Sequence, residues 1–190
     1  MSCSHMGKRV VEKPLSITYK SFKAKEAQTF CFSPYILKEF RNRWFVFGDC
    51  HDFTYTPLCN LALDRIEGIS VAPKGERYLK DRDFHPSTFF KDMIGVTREV
   101  DSPVEHVTFI ASTAQAPYIR TKPFHESQRE LRQMEDGSVL FSIDVVLNYE
   151  LERDLLGYGE GVIVLSPDHL VEKLRKRLSE SVENYEKQGQ

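Results

Sequence analysis

From Leu15 onward, apolar and polar positions alternate with a period of two. In LSITYKSF, Leu15, Ile17 and Tyr19 fall on one side and Ser16, Thr18 and Lys20 on the other, the spacing of a half-buried strand. AQTFCFSPYIL and RWFVFG read as the second and third strands, and LALDRIEGISV as a fourth that bends near Gly68. Pro34 has no N–H to give to a ladder, so it is expected at a strand end or on a sheet edge. HDFTYTPLCN carries turn residues at both ends and reads as the connection between strands three and four. Short strands at this density predict a small barrel or a curled sheet.

The pattern changes over residues 73–103, which are charged, interrupted by Pro and Gly, and read as a linker with one short helix. His85-Pro86-Ser87 marks its start, and Phe89, Phe90, Met93 and Ile94 follow at helical spacing. Residues 104–190 then form a second unit. VEHVTFIAS is a strand with Val107, Phe109 and Ala111 on one face, and TAQAPYIRT is a short helix. SQRELRQMEDGSVLFSIDVV is a hairpin whose Asp136-Gly137 suits a type I′ turn. NYELERDLLGYG is a helix ending at glycine, with Leu151, Leu155 and Leu156 inward. GVIVLS lacks alternation and is expected to be buried on both faces. The last helix is expected to start with Ser166 as cap and Pro167 in the first helical position, and its stripe is Leu170, Leu174 and Leu178. The order β-α-β-β-α-β with a terminal helix is that of the ferredoxin-like split βαβ fold.

Charge sharpens this division. Residues 8–72 hold 10 Lys/Arg against 7 Asp/Glu, whereas residues 101–190 hold 10 against 16. An anionic ligand is therefore expected on the first half. No run of 18 apolar residues exists and the N-terminus lacks an apolar signal core, so a cytoplasmic chain without membrane contact is expected. Cys3, Cys31, Cys50 and Cys59 form no CxxC pair and read as reduced thiols. Cys50, His51 and Cys59 match no common zinc spacing, so no metal is expected, and no cofactor fingerprint of the GxGxxG or P-loop kind is present. His125, Ser127 and Asp144 are the residue types of a hydrolytic triad, but no GxSxG elbow frames them. No catalytic residue is assigned, and the chain is read as a non-enzyme.

SITYKSF, FSPYILKEF, NRWFVFG and LALDRI, in that order and at these intervals, resemble the WYL domain of bacterial transcriptional regulators. The name-giving Trp-Tyr-Leu strand is here Trp44-Phe45-Val46, so Phe45 lacks the phenolic hydroxyl. The stretch from Lys122 to Pro167 resembles the C-terminal extension that follows such domains. The resemblance implies an α+β chain: an SH3-like or Sm-like barrel over residues 8–72, the linker, and the ferredoxin-like extension over 104–190. It also implies a ligand sensor with a basic groove for single-stranded nucleic acid or a nucleotide-like anion. Operator DNA would be bound only through a helix-turn-helix domain upstream, for which the residues before Leu15 leave no room. The resemblance implies that the connecting loop HDFTYTPLCN is basic. It has no arginine here, which leaves His51 as its substitute.

The candidate ligand residues follow. Arg43 shares a strand face with Phe45 and Phe47, where a guanidinium grips phosphate while bases stack on rings; its alternative is a strand-end arginine with its head in water. Arg65 shares a face with Leu61 and Leu63, opposite to Asp64, and needs an internal carboxylate or an incoming anion. Tyr35 and Ser33 flank Pro34 and complete the expected site, with Tyr19 and His51 beside it. Trp44 is also a candidate, although its neighbours favour the core. The competing reading is a protein-interaction module, in which the leucine-striped last helix pairs with a second copy as a homodimer.

Overall fold

The computed structural model describes residues 12–52, 58–80, 84–98 and 101–188. The chain divides into two units, 1–89 and 90–190, each built on its own antiparallel sheet. The first contains β1 (Leu15–Tyr19), β2 (Gln28–Phe40), β3 (Arg43–Cys50), β4 (Cys59–Ala62) and β5 (Ile66–Val71), in the spatial order β4-β3-β2-β1-β5. The period-two pattern places Ile17, Phe30, Phe32, Val46, Cys50 and Leu61 in one buried cluster. A fully buried side chain of this size contributes roughly 1.5–3 kcal/mol, enough to fix which face turns inward. Beyond this core, Phe47 is buried and meets Phe89 edge-on, with centroids 6.1 Å apart.

Three expectations for this unit are corrected. The barrel does not close: β4 and β5 are the two edges, with no ladder between them. LALDRIEGISV is not one strand, because a 3-10 turn at Leu63–Arg65 separates β4 from β5. Pro34 lies in the middle of the longest strand, where the β1 ladder has just ended at Phe32 and the β2–β3 register slips. Its missing N–H therefore costs no ladder bond. Gly48 lies across from it, and a Cβ there would fall 2.1 Å from the Ser33 carbonyl oxygen, so this crossing excludes every side chain.

The helical spacing after His85 also overreached. Helix α1 spans only Pro86–Phe89, and Gly95 adopts φ +84 shortly after. A Cβ on Gly95 would meet Glu150 at 2.5 Å, so the chain can pass here only as glycine.

The second unit comprises β6 (Val104–Ala111), α2 (Ala116–Thr121), β7 (Arg129–Gln133), β8 (Val139–Val146), α3 (Tyr149–Leu156), β9 (Val162–Ser166) and α4 (Asp168–Gln188). Its sheet order is β7-β8-β6-β9, antiparallel throughout. Val107, Phe109 and Ala111 on β6, Ile143 on β8, Leu151 on α3 and Leu170 on α4 are buried together. Asn148 caps α3 by accepting from the Leu151 N–H, while its amide donates to the carbonyls of Ile94 and Thr97.

Here too the structure corrects details. β9 is an edge strand that alternates: Val162 and Val164 are buried, but Ile163 and Leu165 face solvent. Ser166 does not cap α4; its hydroxyl bonds Thr108 Oγ1 at 2.7 Å, and the helix begins at Asp168. Leu170 and Leu174 are buried, whereas Leu178 is about half exposed. The β7–β8 connection is the five-residue stretch 134–138, in which Gly137 alone takes positive φ, with the Gly137 N–H donating to the Met134 carbonyl. The type I′ pair occurs instead at Arg41-Asn42, with φ 51 and 62, joining β2 to β3. No helix among the described residues is long and apolar enough to cross a membrane.

Candidate anion-binding site

The β1–β2 loop and the 3-10 turn enclose a concavity of about 330 Å³, lined by Lys20, Ser21, Phe22, Ala24, Asp64, Arg65, Ile66 and Glu67. The Lys20 N–H donates to the Arg65 carbonyl at 3.1 Å and ties the loop to the turn. The Arg65 guanidinium lies 4.0 Å over the ring of Phe22, which is 77% exposed. Arg65 Nε is buried without a hydrogen-bond partner among the described residues. A buried, unmatched N–H carries a desolvation cost that an incoming anion would relieve.

Asp64 and Arg65 diverge, as the sequence implied, but from a turn and not from a strand. Asp64 Oδ2 receives the Arg43 guanidinium at 3.1 Å, with both side chains near half exposure. Such a pair is worth at most about 1 kcal/mol, so Arg43 can exchange this carboxylate for a ligand anion. Arg43 does not itself line the concavity; it reaches its rim through Asp64. Trp44 is 48% exposed, which corrects the core assignment. Although it shares a strand face with Val46, it sits two residues nearer the hairpin, beyond the buried cluster.

Ser33, Tyr35 and His51 form a separate cluster, held by the segment that follows β5. The Leu79 N–H donates to Ser33 Oγ at 2.9 Å, Ser33 Oγ meets His51 Nε2 at 2.9 Å, and His51 Nδ1 meets Glu76 Oε2 at 2.8 Å. The Tyr35 hydroxyl bonds the Asp49 carboxylate and lies 2.9 Å from the Leu79 carbonyl. The Tyr78 hydroxyl donates to the Pro34 carbonyl at 2.6 Å, and its burial, then the charges of Glu12 and Asp49, push its pKa above the ordinary phenol value. Ser33 is fully buried, and this group holds residues 76–79 in place and takes no part in the Arg65 concavity. Tyr19 packs against the buried cluster of the sheet. Of the expected residues, only Arg65 lines the concavity. Lys20 and Phe22 went unrecognised, although the interleaved basic and aromatic pattern of KSFKAK is the signal that marks them.

Residues 10–71 match the family model of the WYL domain, and residues 103–182 that of the WCX domain. The chain thus carries a WYL domain followed by a WCX domain. Among solved structures it is similar to proteasome accessory factor B/C of Arthrobacter aurescens, at 19% identity and a TM-score of 0.35, over 92% of this chain and 25% of that one. It is also similar to a CRISPR Cas-related protein, at 12% identity and a TM-score of 0.54, over 94% of this chain and 49% of that one. The second likeness shows a shared fold. This chain spans about a quarter of the first protein's length and about half of the second's. No curated protein matches it.

The WYL domain thus carries the Arg65 concavity, and its name-giving strand supplies Arg43, which reaches the rim through Asp64. The WCX domain has a larger concavity of about 530 Å³, which includes Glu105, Tyr149, Glu152, His169, Lys173 and Arg177. There Glu152 takes Lys173 at 2.6 Å and Arg177 at 2.9 Å, and Glu105 takes His169 at 3.2 Å. His125 and Ser127 bond each other at 2.8 Å, but the other His125 ring nitrogen meets the Lys91 carbonyl and the Asp144 carboxylate turns to His106. Gln128 bonds the Phe124 N–H and the Ile119 carbonyl. The His125–Gln128 stretch therefore ties together the backbone around α2 and β8.

Proposed function

We propose that this chain is the ligand-sensing part of a bacterial, cytoplasmic WYL-type transcriptional regulator, and that it binds single-stranded nucleic acid or a nucleotide through the Arg65 concavity. The observation that carries this reading is the buried, unmatched Arg65 Nε beside an exposed aromatic ring. Phosphate would take the guanidinium of Arg65 and the ammonium of Lys20, with Arg43 at the rim. A base would stack on Phe22 or Trp44. Operator DNA would be bound by another domain outside this chain, and ligand binding acts on it only if the ligand prefers one conformation of the protein. The fold reading that accompanies this function is an SH3-like or Sm-like domain. Its support is the five-strand meander with β5 returning beside β1. The ferredoxin-like reading of the WCX domain is supported by its β-α-β-β-α-β order.

The test is a titration of a labelled single-stranded oligonucleotide at several salt concentrations, read by anisotropy and by Trp44 emission. Binding that weakens as salt rises, and weakens further in Arg65→Ala, supports the proposal. Absence of binding at low salt, or an unchanged salt slope in Arg65→Ala, refutes it.

One observation favours a second role as a homodimer. β9 offers Ile163 and Leu165 on an open sheet edge, and α4 carries half-exposed Leu178 and Val182. Light scattering of the wild type against Ile163→Lys distinguishes a dimer built on this edge from a monomer.

A further inference from the structure

We infer that Cys31, His51 and Glu76 form a binding site for a zinc-class divalent cation in the WYL domain. Their ligand atoms all lie within 4.8 Å of one another, although the residues come from β2, the position just after β3 and the segment after β5. The donor set of one thiolate, one imidazole and one carboxylate is that of a borderline-soft tetrahedral ion, with water in the fourth position. Charge balances as well, since a thiolate and a carboxylate together cancel a 2+ ion. Glu76 is exposed and Cys31 partly so, which gives an ion a route in.

The surroundings favour a cation. The buried Ser33 supplies the outer hydrogen bond that orients a ligating histidine, its Oγ lying 2.9 Å from His51 Nε2. Without metal, the Nδ1 proton faces Glu76 at 2.8 Å. On binding, Cys31 releases its thiol proton to solvent, the ring proton moves from Nδ1 to Nε2, and Nδ1 donates its lone pair to the ion. Nε2–H then donates to Ser33 Oγ, which still accepts from the Leu79 N–H. The ion would clamp the Glu76–Lys80 segment onto the sheet by direct bonds, adding to the hydrogen bonds and the Tyr35–Tyr78 ring contact that hold it otherwise. The site is independent of the Arg65 concavity, with which it shares no residue.

The experiment uses the full chain in a Cys3→Ser, His5→Ala background, stripped with chelator and titrated with Co²⁺ and then Zn²⁺. One cobalt per chain with a thiolate-to-cobalt charge-transfer band is expected, together with a higher Tm on zinc loading. Cys31→Ser should abolish the band, and Glu76→Gln should weaken binding about tenfold or more. Ser33→Ala should weaken it by about 10–100-fold while keeping the band, as loss of an outer-sphere partner does. Absence of stoichiometric cobalt overturns the inference. So does a band that survives Cys31→Ser and disappears in Cys59→Ser, which would locate the thiolate elsewhere.

Discussion

The Arg177 concavity of the WCX domain and the Arg65 concavity of the WYL domain differ in whether the arginine's charge is already spent. In the WCX domain, Arg177 and Lys173 converge on Glu152, whose side chain is only 5% exposed. In the WYL domain, Arg65 rests on Phe22 with a buried Nε that lacks a partner among the described residues. Each pocket is lined by two Lys/Arg and two carboxylates, yet only in the second is a guanidinium N–H left without a partner among the described residues. The lesson is that counting cations does not find a binding site. What matters is whether a carboxylate of the same fold has reached the guanidinium first, because a buried pair is costly to open while an unmatched N–H already carries its desolvation cost.

The largest expected effect tests the structural half of this contrast. Lys173→Ala combined with Arg177→Ala leaves the Glu152 carboxylate buried without a cation and should cost about 3 kcal/mol, read as a lower midpoint in urea. Arg65→Ala should cost under about 1 kcal/mol, since it removes a stacking contact on an exposed ring. Comparable losses in the two variants would make Arg65 a structural residue and end the contrast.

Next comes binding. Arg65→Ala should weaken oligonucleotide affinity by about 1–3 kcal/mol and lower the salt slope by about one, whereas Arg177→Ala should change neither. Arg65→Lys should restore only part of the loss, since an ammonium lacks the planar fork. A smaller effect is expected at Phe22: Phe22→Ala should cost about 1 kcal/mol of binding through lost stacking, with little change in Tm.

The two units should also answer pH from opposite ends. Burial, then the neighbouring Cys59, raises the Cys50 thiol from 9.0 to about 12. A raised acid favours the folded state below its unfolded pKa, so this stability is intact at neutral pH and is lost as pH rises from about 9 toward 12. Cys50→Ala should flatten that alkaline decline in a denaturation series. Asp136 behaves inversely: hydrogen bonds from the Ser138 hydroxyl and N–H hold its carboxyl below the ordinary value of 3.8. Its contribution is present above that value and lost as pH falls through the lowered one, so Asp136→Asn should shrink the acid-side loss by a small amount.

The smallest effect concerns a hairpin. Arg41 and Asn42 both take positive φ, which an arginine tolerates less well than asparagine or glycine. Arg41→Gly should gain up to about 1 kcal/mol in urea melts, less whatever is lost with the Arg41 contact 5.7 Å above Phe40.

Much of the fold was legible in the sequence, and the exceptions are instructive. Alternation located β1 to β3 and the inward face of β6 because a strand side chain's direction depends only on its neighbours two residues away. Alternation failed at Leu63–Arg65, where an apolar-looking run turns through a 3-10 bend. It failed also at β9, where the large apolar Ile163 and Leu165 lie exposed on an edge strand. Turn chemistry anticipated a hairpin at Asp136-Gly137, yet put the type I′ geometry there and not at Arg41-Asn42, whose strand register overrides residue preference.

The site was less legible still. The sequence nominated Arg43 and Arg65 together, but could not tell that Asp64 would turn to one and Phe22 to the other. It grouped Ser33, Tyr35 and His51 with those arginines, although residues 76–79 claim all three. By itself, then, the sequence determined β1 to β3, the inward face of β6, the division of charge and the family resemblance. Only the tertiary structure decided which cations are matched and that Cys31, His51 and Glu76 meet. The physical reason is range. Side-chain direction is local, while the partner of a charge or a ligand atom is chosen by register and sheet order between residues far apart in the chain.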